Sequence, residues 1–133
     1  MNFNPSEEEI NFVNEALRKF NDKNVGPDNH VLLNIVEYDK DKNVIAGILG
    51  GTYWGWMHID ILWVDENYRK QGLGSKLLQA AESEAKKRGC HSVHVDTMSW
   101  QAPDFYKKYG YKVIGQLEDI PLGNKKFQLI KEL

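Results

Sequence analysis

The sequence predicts an α/β fold on one mixed sheet, and three observations predict it. Residues 30–64 are rich in strand formers and are interrupted only by short polar or glycine-bearing turns. Past Gly74 the apolar spacing becomes helical, with Leu73, Leu77, Leu78, Ala81 and Ala85 on one stripe. Strand-forming residues 91–97 follow directly. Strand, helix and strand make a βαβ unit, whose two strands run parallel through a right-handed crossover. At 133 residues the chain suits one domain, 1–133, with a core of its own.

The elements can be justified in order. Ser6 and Glu9 form a capping box, and Ile10, Val13, Leu17 and Phe20 recur at helical spacing, which predicts a helix over 6–22. Residues 30–38 and 44–53 flank the polar turn 39–43 as a hairpin. A tight turn around Trp54-Gly55-Trp56 leads into a third strand, 57–64, so the first half is an antiparallel meander. Gly89 stops the 73–88 helix. The run Lys86-Lys87-Arg88 complements the dipole at that helix's end. A short helix from Pro103 ends at Gly110, and strands 111–118 and 125–131 close the chain.

Composition removes several functions. Seventeen basic and nineteen acidic residues are scattered along the chain and leave a net charge of −2, which excludes a broad cationic face for nucleic acid. No apolar run approaches the roughly 18–20 residues of a membrane span. The N-terminus lacks the basic-then-apolar order of a secretory signal, so a cytoplasmic location is expected. Cys90 stands alone, which excludes an internal disulfide and predicts no metal site.

The most informative segment joins a strand to a helix: Val64-Asp65-Glu66-Asn67-Tyr68-Arg69-Lys70-Gln71-Gly72-Leu73-Gly74-Ser75. Amides that open a helix point outward unpaired, with the positive end of the dipole behind them. Glycines let a phosphate approach those amides, and Arg69 and Lys70 add formal charge, so the segment can cradle a pyrophosphate. It is not a Walker loop, because no Gly-Lys-Ser/Thr closes it. Leu77 replaces the third glycine of a dinucleotide fingerprint.

Arg69-x-x-Gly72-x-Gly74 after a strand resembles the Arg/Gln-x-x-Gly-x-Gly/Ala signature of the GNAT superfamily of N-acetyltransferases. A second block, Ser99-Trp100-Gln101-Ala102-Pro103-Asp104-Phe105-Tyr106-Lys107-Lys108-Tyr109-Gly110-Tyr111, resembles that family's Asn-x-x-Ala-x-x-x-Tyr-x-x-x-Gly-Phe. It departs at Ser99, where Asn is usual, and at Tyr111, where Phe is usual. The resemblance covers about 44–115. Family members begin with a strand before the first helix, for which only Met1–Asn4 is available here.

The resemblance implies a GNAT-like fold with a mostly antiparallel sheet, in which the strands 57–64 and 91–97 splay apart around acetyl-coenzyme A. It implies cofactor contacts from Leu62, Trp63, Val64, Arg69, Lys70, Gln71, Gly72, Leu73, Gly74, Ser75, Ser99 and Tyr106. The Leu62 amide would face the thioester oxygen, and Tyr106 would serve the leaving thiolate. His58, four residues before Leu62, matches the position of a base, and Asp60 could share that role or attract an ammonium. Simple alternation puts His58, Asp60, Leu62 and Val64 on one strand face.

Trp54 and Trp56, with Trp100, would wall an acceptor site suited to a cationic primary amine of a small molecule or a peptide. Direct attack in a ternary complex is favoured, because Cys90 lies away from both motifs. A homodimer is possible, since dimers are common among relatives. Two rival readings are a non-catalytic coenzyme A sensor on the same fold and a generic phosphate-ligand binder.

Overall fold

A computed structural model describes all 133 residues. Helix α1 is Glu7–Val25, followed by strands β1 Val31–Tyr38, β2 Val44–Tyr53 and β3 Trp56–Val64. A 3-10 turn at Glu66–Tyr68 leads to α2, Leu73–Lys87, and then β4, Ser92–Met98. Helix α3 is Pro103–Lys108, and β5 Lys112–Glu118 and β6 Lys125–Glu132 complete the chain. The strands form one sheet in the order β1-β2-β3-β4-β6-β5, parallel only between β3 and β4. Residues 1–6, which precede α1, form no strand.

One face of this sheet holds the core. Helix α2 lays Leu77, Leu78, Ala81 and Ala85, all essentially inaccessible, against Leu33, Ala46, Ile48, Met57 and Ile59. Each buried leucine contributes about 2 kcal/mol of transfer free energy. The last turn of α2 closes when the Cys90 amide reaches the Ala85 carbonyl (2.9 Å), with Gly89 at φ +85°. Arg88 ties that end to β1, donating from Nη1 to the carbonyls of Leu32 (3.1 Å) and Val31 (3.3 Å).

Helix α3 lies on the same face. Tyr106 joins the α2 cluster, and the Tyr111 hydroxyl beyond it donates to Glu82 of α2 at 2.8 Å. The opposite face therefore receives neither α2 nor α3.

Helix α1 forms for the local reasons the sequence carries. The Glu9 amide donates to Ser6 Oγ (3.2 Å), and the Ser6 amide donates to Glu9 Oε2 (2.7 Å). It runs past the expected end to Val25, closed by the Gly26 amide on the Asp22 carbonyl. An apolar stripe at helical spacing ordinarily faces a core. None of the residues of α1 is buried.

Strict alternation along β3 fails in the middle. Gly50 pairs with Ile59 and Leu49 with Ile61, so Asp60 has no partner on β2. This β-bulge turns Leu62 and Val64 onto the core face with Met57 and Ile59, opposite to His58 and Asp60. The expected common face for His58, Asp60, Leu62 and Val64 is thus corrected. The bulge depends on Gly50, because a Cβ there would collide with the His58 carbonyl oxygen. Gly50→Ala should cost about 1–3 kcal/mol, as overpacking does. Urea denaturation should show a lowered midpoint, and a wild-type midpoint would mean that the bulge tolerates a side chain.

Candidate active site

Pairing between β3 and β4 ends early. Trp56, Met57, His58 and Ile59 pair with Ser92, His94 and their neighbours, and the ladder stops at Ile59–Val95. Beyond it each strand keeps its outer partner, β3 through Val64 on β2 and β4 through Met98 on β6. The two inner edges part, so the Asp60–Val64 edge that faces β4 carries backbone groups with no strand to satisfy them.

A cleft of about 880 Å³ fills the gap. Its walls bring together Asp60, Leu62, Trp63, Val64, Arg69, Lys70, Gly72, Leu73, Gly74, Ser75 and Tyr106, as the sequence motifs suggested.

The cleft's floor is the start of α2. Unlike α1, this helix has no side-chain cap. Its first internal amide bond is Lys76 to the Gly72 carbonyl (3.0 Å), which leaves the amides of Leu73, Gly74 and Ser75 free of helical partners. Gly72 sits at φ +81° with open space where a Cβ would stand. The Arg69 Nε donates to the Val64 carbonyl at 3.0 Å, which holds that cation against the end of β3. These donors and charges fit a diphosphate group, and the open β3 edge fits an amide-bearing arm.

Charge is divided along the cleft. Asp60 and Asp96 stand where the strands part, and Arg69, Lys70 and Lys108 stand at the other lining positions. Lys126 offsets Asp96 at 3.4 Å, whereas Asp60 remains well exposed.

Tyr106 is buried, its ring edge-on to Phe105 (5.3 Å) and Tyr111 (5.4 Å). Burial pushes its phenol up to about 12, so it stays protonated at every working pH.

His58 lies behind the cleft wall rather than on it. Its Nδ1 is 2.7 Å from Asp60 Oδ1, and its Nε2 is 3.0 Å from Nε2 of His30. A carboxylate only accepts, so Nδ1 carries the hydrogen and a neutral His58 presents its lone pair to His30. His94, paired with His58 across the parallel ladder, meets the Tyr53 hydroxyl at 3.1 Å. Burial first, and repulsion from His58 second, lower the pKa of His94 and keep it neutral. No group of His, Cys, Asp or Glu converges closely enough to hold a metal ion.

Four further expected residues lie elsewhere. Ser99 is spent on the β5–β6 hairpin, where its Oγ accepts from the Lys125 amide (3.1 Å). Gln71 is exposed and outside the cleft lining. Trp54 faces a groove beside α1, and Trp56 packs on His91 (5.6 Å) at the closed end of the β3–β4 ladder. Neither tryptophan walls the cleft, because both precede the splayed half of β3. The aromatic residues that line it include Trp63, Trp100, Phe105 and Tyr109. His30 and His94 escaped the sequence reading, since only cross-strand register brings them to His58. Gln101 also escaped it; its Oε1 accepts from the Met98 amide at 2.8 Å and shapes the turn after β4.

Comparison with known proteins agrees with this geometry. Residues 3–111 match the family model described as Acetyltransferase (GNAT) family, which takes in the first 40 residues as well as both motifs. The chain is 42% identical over 89 residues to blasticidin-S acetyltransferase of Streptomyces morookaense, a match that spans 66% of this chain and 65% of that protein. It is 37% identical over 111 residues to acetyltransferase Atu2258 of Agrobacterium fabrum, covering 84% of this chain and 81% of the relative. Among solved structures, an acetyltransferase from Bacillus cereus superposes with a TM-score of 0.92 at 32% identity, covering 100% of this chain and 97% of that one. No helix is long and apolar enough to cross a membrane. The chain belongs to the GNAT family, the acetyl-coenzyme A-dependent N-acetyltransferases.

Proposed function

We propose that this chain transfers acetyl from acetyl-coenzyme A to a cationic primary amine, by direct attack in a ternary complex. The observation that carries this reading is the unzipped β3 edge opening beside an uncapped helix start in one cleft. Acetyl-coenzyme A supplies an activated thioester, and the chain's own groups do the rest. The amides of Leu73, Gly74 and Ser75, with Arg69 and Lys70, hold the diphosphate, and the β3 edge from Leu62 to Val64 holds the arm. An amide at Leu62 aimed at the carbonyl oxygen is worth roughly 3–4 kcal/mol as charge develops there.

The division of charge orients the two substrates. Anionic coenzyme A goes to the Arg69–Lys70 end and a cationic amine to Asp60. A lysine-like amine costs about 4–5 kcal/mol to deprotonate at pH 7. Leu62 lies four residues beyond His58, roughly 13 Å along a strand, so the proton leaves through water to the Asp60–His58 pair. His30, exposed and hydrogen-bonded to the basic nitrogen of His58, must release it first.

The high pKa of Tyr106 limits what it can do. A thiol near 8.5 is a far stronger acid than a phenol near 12, so full proton transfer to the thiolate runs uphill. Tyr106 acts as a hydrogen-bond donor to the departing sulfur. One relative is named for blasticidin-S and another as a peptidyl-lysine N-acetyltransferase, so a small molecule and a peptide lysine are the two competing acceptor classes.

Thiol release from acetyl-coenzyme A across a panel of small cationic amines and lysine peptides tests the reading. Turnover with small amines is expected; stabilisation by coenzyme A without any turnover would point to a sensor. Tyr106→Phe should lower kcat about tenfold or more, the loss of one transition-state hydrogen bond, with coenzyme A affinity unchanged. Because the phenol titrates only near 12, the alkaline limb of the rate profile should be the same in both proteins.

For His58→Ala the rate should fall at neutral pH and recover partly as rising pH frees the amine unaided. A profile matching wild type would leave deprotonation to Asp60 and water. Gly72→Ala introduces no clash but forces a left-handed alanine, at about 1–2 kcal/mol. Weakened coenzyme A binding in a titration should accompany that loss, and unchanged binding would remove the loop from the diphosphate site.

A further inference from the structure

Two apolar surfaces of this molecule have nothing in their own chain to cover them. The first is the stripe on α1, where Ile10, Val13, Leu17 and Phe20 are 48%, 67%, 60% and 64% exposed. The helix stands off its own body, and every residue of it except Asn21 is exposed. Asn14, Arg18, Asn21 and Asp22 face Trp54 and Asp28 across a groove of about 380 Å³, in which only Leu17 and Trp54 are apolar. An amphipathic helix with its apolar stripe packed on nothing departs from the usual arrangement.

The second surface is the sheet face away from α2. There Leu32 (64%), Val36 (38%), Leu49 (36%) and Ile61 (52%) stand exposed on β1, β2 and β3. Gly47 and Gly51 of β2 pair with Val36 and Leu32 on one side and with Trp63 and His58 on the other. Leu49 stands between the two glycines on that face, Val36 overhangs Gly47, and His30 and His58 close over Gly51, so the face is a shallow, bare apolar patch.

We infer that two copies of this chain exchange their first helices about a twofold axis, each α1 stripe lying on the bare sheet face of the other. A single symmetric pairing covers all four orphan surfaces at once, the self-complementarity a twofold interface requires. The α1 stripe alone offers roughly 500 Å² of apolar surface, near the largest patch a monomer ordinarily leaves open. Two helices on two faces bury roughly 2,000 Å², the size of a permanent dimer.

The helix also keeps its place in a relative. The Bacillus cereus enzyme superposes over 100% of this chain at a TM-score of 0.92, which leaves no room for residues 1–25, about a fifth of the chain, to sit elsewhere. A membrane is the wrong partner, because α1 carries Glu7, Glu8, Glu9, Glu15 and Asp22 against Arg18, Lys19 and Lys23. Helices that lie on anionic lipid are enriched in cations.

Solution mass tests the exchange on the intact chain. At micromolar concentration the wild type should sediment at twice 15.4 kDa, and a monomer would overturn the proposal. Leu17→Glu/Phe20→Glu on the helix and Leu32→Glu/Leu49→Glu on the sheet should each give monomers. Mixed, they should recover dimers, since one helix and the sheet face it meets in the pair are then both native. A sheet variant that stays dimeric would mean that the helices pack on each other, and failure to recover on mixing would equally reject the exchange.

Discussion

The early end of the β3–β4 ladder is the constraint on which the rest of the molecule depends. Two parallel strands in register would ordinarily pair along their shared length, and the unpaired edge from Asp60 onward leaves amides and carbonyls in need of partners. The bulge at Asp60 accompanies that opening. By inserting one residue opposite β2, it bends β3 away from β4 just past Ile59 and reverses which residues face the core. Met57 and Ile59 before the bulge, and Leu62 and Val64 after it, all anchor the strand on α2, so β3 remains rigid while its inner edge lies open. An open edge that cannot relax is a binding surface for an extended arm.

The start of α2 complements that edge through what it lacks. Two helices in one chain begin in opposite ways: α1 spends its first amides on Ser6, and α2 begins at a glycine with no side-chain acceptor. Uncapped donors cost stability unless a ligand or water meets them. Arg69, drawn back onto the Val64 carbonyl, brings its charge to the junction of edge and helix. The acidic residues gather where the strands part, so charge is divided along the length of the cleft.

Much of this was legible in the sequence, and the exceptions share a physical cause. Glycine spacing, helical period and turn residues are local, so the nine main helices and strands and the glycine loop followed from them, whereas Tyr106 is singled out by the family resemblance. Alternation along β3 misled from Leu62 onward, because a bulge is fixed by the partner strand, here by Gly50 lying against His58. The His30–His58 and His58–His94 contacts depend on register between segments far apart in sequence. Trp54 and Trp56 lay close to the motif in sequence, but they precede the point of divergence and therefore sit at the closed end. Ser99 stands at a motif position and yet serves a hairpin, where it accepts the Lys125 amide.

Helix α1 carries the same lesson to a larger scale. Its cap and period are encoded within twenty residues and formed as read, although the helix runs three residues past the expected end. The surface it should cover is a property of the whole sheet, since α2 and α3 both settle on one side and leave Leu32, Leu49 and Ile61 bare on the other. A helix folded back by its own chain would bury the stripe at the cost of turning Arg18, Asn21 and Asp22 away from the Trp54 groove. Exchange between copies gives the exposed apolar stripe a surface to cover. It also sets a protein neighbour beside the His30–His58–Asp60 array, which stands at the edge of that same bare face. The packing of the first helix and the surroundings of His58 then follow from a single decision about which side of the sheet the chain leaves uncovered.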